Sequence, residues 1–519
     1  NITEGVTYLA GIDKDTAYTA AGITSSVAKF TAVATAEGKS LVFTKDVIDI
    51  LAGGTGNDTF TGDSNISAAD TATGGAGTDK LKLTGSYTLP IISGIETIEL
   101  VSPGTLTDIN LSTNEYDDVT TLRLDTVTVA GTKTITLQAG QSLELDDWTG
   151  AAANVDIAGD LWTTGTITVT DSGSSTHEID LDFSSTKTTS LTLKESGTVE
   201  SYVTLVNAGA KLKTLNIDAD YKLQMADVAI ATTIDASASS GELTVTSAVN
   251  KIKYTGSTGV DEFTFSIASG VGKEATIKTG TGDDKVTISS LDAANEFLDS
   301  KFTIDGGAGT DTLILDDAGA TALANLNSTN YAKKGISNFE KLDIATTGGD
   351  AYSLAMGTFG INQVELEADN TNDLTITGLT TGATVTFGKV VDDLGGTTAA
   401  ANDLVVTLSD KAGSGDAVTF NIENTTGTGL FGVTAAEVET VTIDASASDQ
   451  ANSFELNGAN TTKIVLDTNT TDLTISLAVA NSAATIVATV DASAATSTGG
   501  IVFTADDSAL AGITYTGSS

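Results

Sequence analysis

The chain has 519 residues, of which 68 are acidic and 25 basic, giving a formal net charge of −43. A surface this acidic cannot assemble the basic patch that a nucleic acid requires, and the single arginine, Arg123, rules out a set of guanidinium clamps for phosphate. With no cysteine and one histidine, His177, the sequence excludes disulfides, thiol nucleophiles, cysteine zinc sites and the two-histidine zinc-protease helix. It contains no apolar run of about 20 residues, so no transmembrane helix is expected.

In chain order, residues 1–45 read as a flanking segment, and the part up to about Lys39 follows no single period. The chain opens on Asn1 without a recognisable signal peptide, which reads as a fragment or a processed form. A first module is read over residues 46–253. It begins with Gly53-Gly54-Thr55-Gly56-Asn57-Asp58-Thr59-Phe60, repeated as Gly74-Gly75-Ala76-Gly77-Thr78-Asp79-Lys80-Leu81. Glycines supply positive φ and let carbonyl oxygens converge, the aspartate adds a hard anionic oxygen, and the apolar residue two places later opens an inward-packing strand. That is the chemistry of a calcium-binding turn. Asp58 and Asp79 stand 21 residues apart, one coil of a β-roll with a small insertion, and Asp63 and Asp70 between them are candidates to complete the shell. Ala68–Ala69 reads as the centre of a short helix.

The rest of the module is strand. Runs such as Lys133–Leu137, Thr166–Thr170, Ser190–Leu193 and Glu242–Thr246 alternate apolar or β-branched residues with polar ones, the pattern of a strand with one buried face. Only Pro90 and Pro103 interrupt the backbone, and Gly, Asn, Asp and Ser punctuate it at short intervals, a rhythm of stacked coils. Trp148 and Trp162 read as core or strand-edge residues, with a sugar-stacking platform as the alternative. His177, inside Ser174–Asp180, reads as a surface residue at a strand entrance. Three rungs, Ile95–Leu100, Phe339–Ile344 and Val438–Ile443, place an apolar residue at every second position, and their acidic residues are expected to face solvent. Asp235, Asp444 and Asp491 each open an identical Asp-Ala-Ser-Ala, and such repetition marks a repeat architecture.

A second module is read over residues 254–519. Its turns are Gly256-Ser257-Thr258-Gly259-Val260-Asp261-Glu262-Phe263, Thr279-Gly280-Thr281-Gly282-Asp283-Asp284-Lys285-Val286 and Gly306-Gly307-Ala308-Gly309-Thr310-Asp311-Thr312-Leu313, with Asp305 just before the last. Successive aspartates are 23 and 27 residues apart, again one coil plus inserted residues. Candidate calcium ligands, through side chain or carbonyl, are therefore Gly53, Gly54, Gly56, Asp58, Asp70, Gly74, Gly75, Gly77 and Asp79 in the first cluster. In the second they are Gly256, Gly259, Asp261, Gly280, Gly282, Asp284, Asp305, Gly306, Gly307, Gly309 and Asp311. Short helices are expected at Asp292–Leu298 and Ala320–Lys334. Ser247–Ser257 matches Ser508–Ser518 at seven of eleven positions, so a third module is expected to begin where the sequence stops.

No catalytic set emerges. A Ser-His-Asp triad would have to use His177, and a glycoside-cleaving carboxylate pair cannot be picked out of 68 acids, so the chain is read as a non-enzyme. The fold expected is all-β: stacked β-solenoid or β-roll modules with Gly/Asp-rich calcium turns and few short helices. Calcium turns of this kind match millimolar extracellular calcium, so the chain is expected outside the cell.

The turns quoted above resemble those of the repeats-in-toxin family. Together with the Thr-, Ala- and Gly-rich strands and the missing cysteine, they look most like the surface-layer proteins of Gram-negative bacteria. The resemblance implies export by a type I system, folding on meeting calcium, and tiling with copies of itself into a two-dimensional lattice on the cell surface, with surface polysaccharide as a further partner. The carboxyl-terminal export signal and the amino-terminal anchoring region of that family are not recognisable here. A secreted adhesin and a β-solenoid enzyme acting on polysaccharides are the alternatives.

Overall fold

The computed structural model describes residues 37–45, 48–104, 106–128, 131–149, 153–183, 187–206, 211–226, 228, 231–247, 251–266, 274–289, 302–324, 335–345, 352–367, 374–388, 393–394, 404–410, 413–425, 429–468, 472–477, 487–495, 500–505 and 513–517. The chain divides into two compact units, Asn1–Met225 and Ala226–Ser519.

The first unit is a β-solenoid. Strands Thr59–Gly62, Lys80–Thr84, Thr97–Val101, Thr121–Asp125, Ser142–Asp146, Thr164–Thr170, Ser190–Glu195 and Thr214–Ala219 form one ladder in which each is parallel to the next. Between visits to it the chain lays down strands of other parallel ladders, first Ile50–Gly54, Thr71–Gly75 and Ile91–Ser93, later Gly131–Thr136, Ala153–Ala158, Ile179–Asp182 and Ser201–Val206. Parallel neighbours cannot be joined by a hairpin, and here the strand of another ladder serves as the crossover. Period-two alternation puts Phe60, Leu81, Ile98, Leu122, Leu143, Ile167, Leu193 and Ile217 in one fully buried column. Each such side chain contributes roughly 1.5–3 kcal/mol of transfer free energy. Phe60 and Leu81, expected to anchor the first two turns, open this column.

The second unit repeats the design. Its longest parallel ladder starts at Leu243–Ser247 and Asp261–Ser266, continues through Lys285–Ser289, Thr312–Leu315, Lys341–Ile344 and Gln363–Leu366, and reaches Thr514–Thr516. The anchors Phe263, Val286 and Leu313 head a buried column that continues with Leu342, Val364, Val385, Phe420, Ile443 and Leu466. Phe420 lies within an aromatic cluster, with ring centroids 5.4 Å from Phe454 and 6.3 Å from Phe387.

Among the described residues helix is scarce, as expected, and one expected position holds a helix while another does not. The described helix spans Asp317–Ala324, starting one turn before Ala320, with Asp317 in its favourable first turn. Residues 325–334 and Asp292–Leu298 lie outside the described residues. Ala68–Ala69 form a turn closed by the Asp70 amide donating to the Ser67 carbonyl. Two alanines are too few to nucleate a helix against it. Trp148 and Trp162 are buried, and the Trp162 indole donates to the Gln141 carbonyl at 2.8 Å, so both are core residues rather than a sugar platform. His177 is exposed next to strand Ile179–Asp182.

Two sequence repeats acquire a structural meaning. In Asp235-Ala-Ser-Ala and Asp491-Ala-Ser-Ala the aspartate Oδ1 accepts from the amide and hydroxyl of Ser237 and Ser493, at 3.1 and 2.7 Å in both copies, an Asx turn that ends the strand. The strand before each pairs with a Tyr-Thr strand, through Ile234 with Tyr254 and through Val490 with Tyr515. Among the described residues no helix is long and apolar enough to cross a membrane.

Candidate metal centre

In each unit the glycine turns stack directly on one another. A methyl group on Gly75 would stand 2.1 Å from the Gly54 carbonyl oxygen, and one on Gly77 would stand 2.4 Å from that of Gly56. The second unit repeats this, with Gly280 over Ser257, Gly307 over Gly280, Gly282 over Gly259 and Gly309 over Gly282. Positive φ occurs at Gly75, Gly77, Gly280, Gly282, Gly307 and Gly309. The first glycines, 53, 74, 256 and 306, have no such φ and are required by crowding instead, a different reason from the one the sequence supplied.

The aspartates stack as well. Asp58 donates its amide to Asp79 Oδ1 at 2.7 Å, Asp261 to Asp284 Oδ1 at 2.8 Å, and Asp284 to Asp311 Oδ1 at 2.9 Å. All five are at most 1% exposed. The structure thus joins Asp58 to Asp79, and Asp261, Asp284 and Asp311 into a second ladder, each neighbour one coil away.

Each ladder is closed by a glutamate. Asp79 donates its amide to Glu96 Oε2 at 2.6 Å, and Asp311 donates to Glu340 Oε2 at 2.8 Å. These glutamates belong to the recurring rungs whose acids were expected to face solvent. Glu96 and Glu340 are half-buried and turn back onto the preceding coil, because there the aspartate amide otherwise lacks an acceptor. Glu99 of the first rung is 5% exposed and bridges Lys80 and Lys82, at 2.9 Å to each.

In these turns oxygen faces oxygen, except that in the first the Lys39 ammonium donates to the Gly53 carbonyl. Oδ2 of Asp58, Asp79, Asp284 and Asp311 is buried without a hydrogen-bond partner. A methyl group on Gly53 would stand 2.1 Å from Asp58 Oδ2 and 2.2 Å from the Gly74 carbonyl oxygen, so the two acceptors converge on one point. The same holds at Gly74, between Asp79 Oδ2 and the Gly94 carbonyl at 2.4 and 1.8 Å, and at Gly306, between Asp311 Oδ2 and the Asn338 carbonyl at 3.0 and 2.1 Å. Two acceptors held together with no donor repel unless a proton, a cation or a donating water sits between them. Thr279 replaces the first glycine in the Asp284 turn, and its hydroxyl donates to the Gly306 carbonyl.

The electrostatics follow from that burial. Desolvation pushes the Asp261 carboxyl up to about 7, with the Asp284 charge adding to it and hydrogen bonds from Ser257 opposing it. Burial likewise drives Asp311 up to about 6 and raises Asp284.

Other predicted residues lie apart from these ladders. Asp70 uses both oxygens, on the Asp49 amide at 2.9 Å and the Ser67 amide at 2.6 Å, and fixes a different loop. Asp63 is exposed and accepts from the Asn65 amide. Asp305 accepts from the Asn338 side-chain amide at 2.7 Å on the outer side of its turn. In the second unit Asp343, Glu365 and Glu367 form a carboxylate trio that the sequence did not reveal, with oxygens within 4.8 Å of one another. Burial and the Glu365 charge push Asp343 up to about 6, and Lys341 pairs with Glu365.

No protein-family model matches this chain, and no curated protein is significantly similar to it.

Proposed function

We propose that this chain is a structural protein that folds on calcium outside the cell and assembles with copies of itself into a surface layer. One observation carries the calcium part: the buried carboxylate oxygens that face backbone carbonyls with no donor between them. Asp58 with the Gly74 carbonyl, Asp79 with the Gly94 carbonyl, and Asp311 with the Asn338 carbonyl supply the hard, partly anionic oxygens that calcium prefers. When bound, the ion neutralises stacked carboxylates, and its binding free energy becomes folding free energy. The Gly-x-Gly-x-Asp turns and their resemblance to repeats-in-toxin proteins support the same reading.

The lattice part rests on the resemblance to surface-layer proteins and on charge. A net charge of −43 keeps copies apart until divalent cations screen or bridge them. No residue is assigned a catalytic role. The test is to image the purified chain with and without millimolar calcium. Ordered sheets that form with calcium and dissolve with chelator are expected. A chain that stays monomeric in both conditions, yet binds a surface or glycan, contradicts the lattice and favours an adhesin. The polysaccharide-acting alternative is tested at the trio Asp343, Glu365 and Glu367, where Glu367→Gln abolishing turnover of a polysaccharide would support it.

A further inference from the structure

The ladder ends share a geometry that occurs a third time, outside the Gly/Asp turns marked in the sequence, with its glutamate, Glu439, in the third recurring rung, Val438–Ile443. At the two recognised ends, the aspartate amide donates to a glutamate Oε2 on the next coil. The aspartate carbonyl then accepts two consecutive amides, Glu96 and Thr97 at Asp79, and Glu340 and Lys341 at Asp311, at 3.0–3.1 Å. At the third, Asp416 donates to Glu439 Oε2 at 3.0 Å, and its carbonyl accepts from Glu439 at 3.1 Å and Thr440 at 2.9 Å. Asp416 follows Gly413-Ser414-Gly415, a turn one residue shorter than the others, and Val418 two places later is buried in the ladder.

Hydrogen bonding alone does not make this a site, but the second carboxylate oxygen points to a ligand. Asp416 is 6% exposed, and its Oδ2 is buried with no hydrogen-bond partner, the condition of Asp58, Asp79, Asp284 and Asp311. Asp416 Oδ2 is turned toward the glycine bend, 2.9 Å from where a methyl group on Gly413 would stand. Leaving such an oxygen unpaired is costly, and two carboxylates one coil apart recruit positive charge.

We infer that Asp416 and Glu439 form a further divalent-cation site, occupied by the same ion as the Gly/Asp turns; this rests on the calcium reading of those turns. Asp416 is the anionic ligand, and Glu439 both orients its amide and adds carboxylate oxygen. The alternative is a neutral partner such as a buried water on Asp416 Oδ2, and the two differ in what they do to ion binding.

The experiment uses the full chain in calcium. Equilibrium dialysis with elemental analysis should find one ion fewer in Asp416→Asn than in the parent, with the parent count otherwise kept. An unchanged count overturns the proposal. Hydrogen exchange on the unmutated chain covers the case in which the variant fails to fold. The Asp416 and Glu439 amides should exchange roughly 100-fold more slowly at calcium about 100 times its Kd. No slowing there, while the amides of Asp79 and Asp284 do slow, refutes this site and leaves the calcium turns standing. No bound ion anywhere in the parent chain would instead sink the reading on which the proposal rests.

Discussion

Replacing Asp79 by asparagine separates a metal ligand from a mere hydrogen-bond acceptor. Asp79 is fully buried, its Oδ1 accepts the Asp58 amide at 2.7 Å, and its Oδ2 faces the Gly94 carbonyl without a donor. Asparagine keeps the first contact and turns an amide N–H toward the Gly94 oxygen. Relieving an unpaired buried polar atom is worth about 1–3 kcal/mol, and a new hydrogen bond about 0.5–1.5 kcal/mol. In EDTA the variant should therefore be at least as stable as the parent, with a gain of about 1–3 kcal/mol. At roughly 2–4 °C per kcal/mol, this raises the unfolding temperature of the first unit by several degrees. In calcium the ranking narrows or reverses, because the parent gains about 2.7 kcal/mol from each site at 100 times Kd and the variant forfeits one such gain. Calorimetric melts of both proteins in EDTA and in millimolar calcium measure all four states. A variant that is destabilised in EDTA yet keeps the full calcium increment would refute the reasoning, since Asp79 would then serve the fold only as an acceptor.

Asp311→Ala should cut the calcium-dependent rise in melting temperature, whereas Asp317→Ala, in the first turn of a short helix, should leave that rise intact and cost under about 1 kcal/mol; equal losses of the calcium increment in both would contradict the ligand assignment. Phe420→Ala empties a fully buried position between Phe387 and Phe454 and should cost about 3–5 kcal/mol in denaturant unfolding of the second unit, independently of calcium. For the outer trio, a hydrogen bond with Glu365, burial and neighbouring charge push Glu367 up to about 7, and Asp343 is held near 6. Carboxyls raised in the fold favour it while protonated, so their stabilisation is full below the ordinary carboxyl range and lost as pH rises through about 7. Melting temperature in EDTA should fall between pH 5 and 8, and Glu367→Gln should flatten that fall; an unchanged pH profile would show that the trio is not coupled to stability.

Much of this was legible because a solenoid writes its geometry locally. Strand alternation exposes the buried columns, since Leu122, Leu143 and Ile167 occupy the same place in successive coils. The spacing of Asp58 and Asp79 gave the coil length because each turn sits at the same point of its coil. What escaped depends on which residues meet across coils. Glu96 and Glu340 alternate with apolar residues as solvent-facing acids do, and only the register places them beside an aspartate amide that needs an acceptor. Asp416 was hidden because its turn is shorter than the motif. Asp343 and Glu365 are register partners on adjacent strands, a proximity that no local pattern in either strand records. Asp70 carried the right chemistry, but it sits at the start of strand Thr71–Gly75, where two amides already occupy its oxygens.

The most direct test of the calcium account is a crystal structure of the chain grown in calcium, with anomalous scattering used to locate the ions. The account predicts anomalous peaks between Asp58 Oδ2 and the Gly74 carbonyl, between Asp79 Oδ2 and the Gly94 carbonyl, and between Asp311 Oδ2 and the Asn338 carbonyl. Maps without peaks there at neutral pH would contradict it.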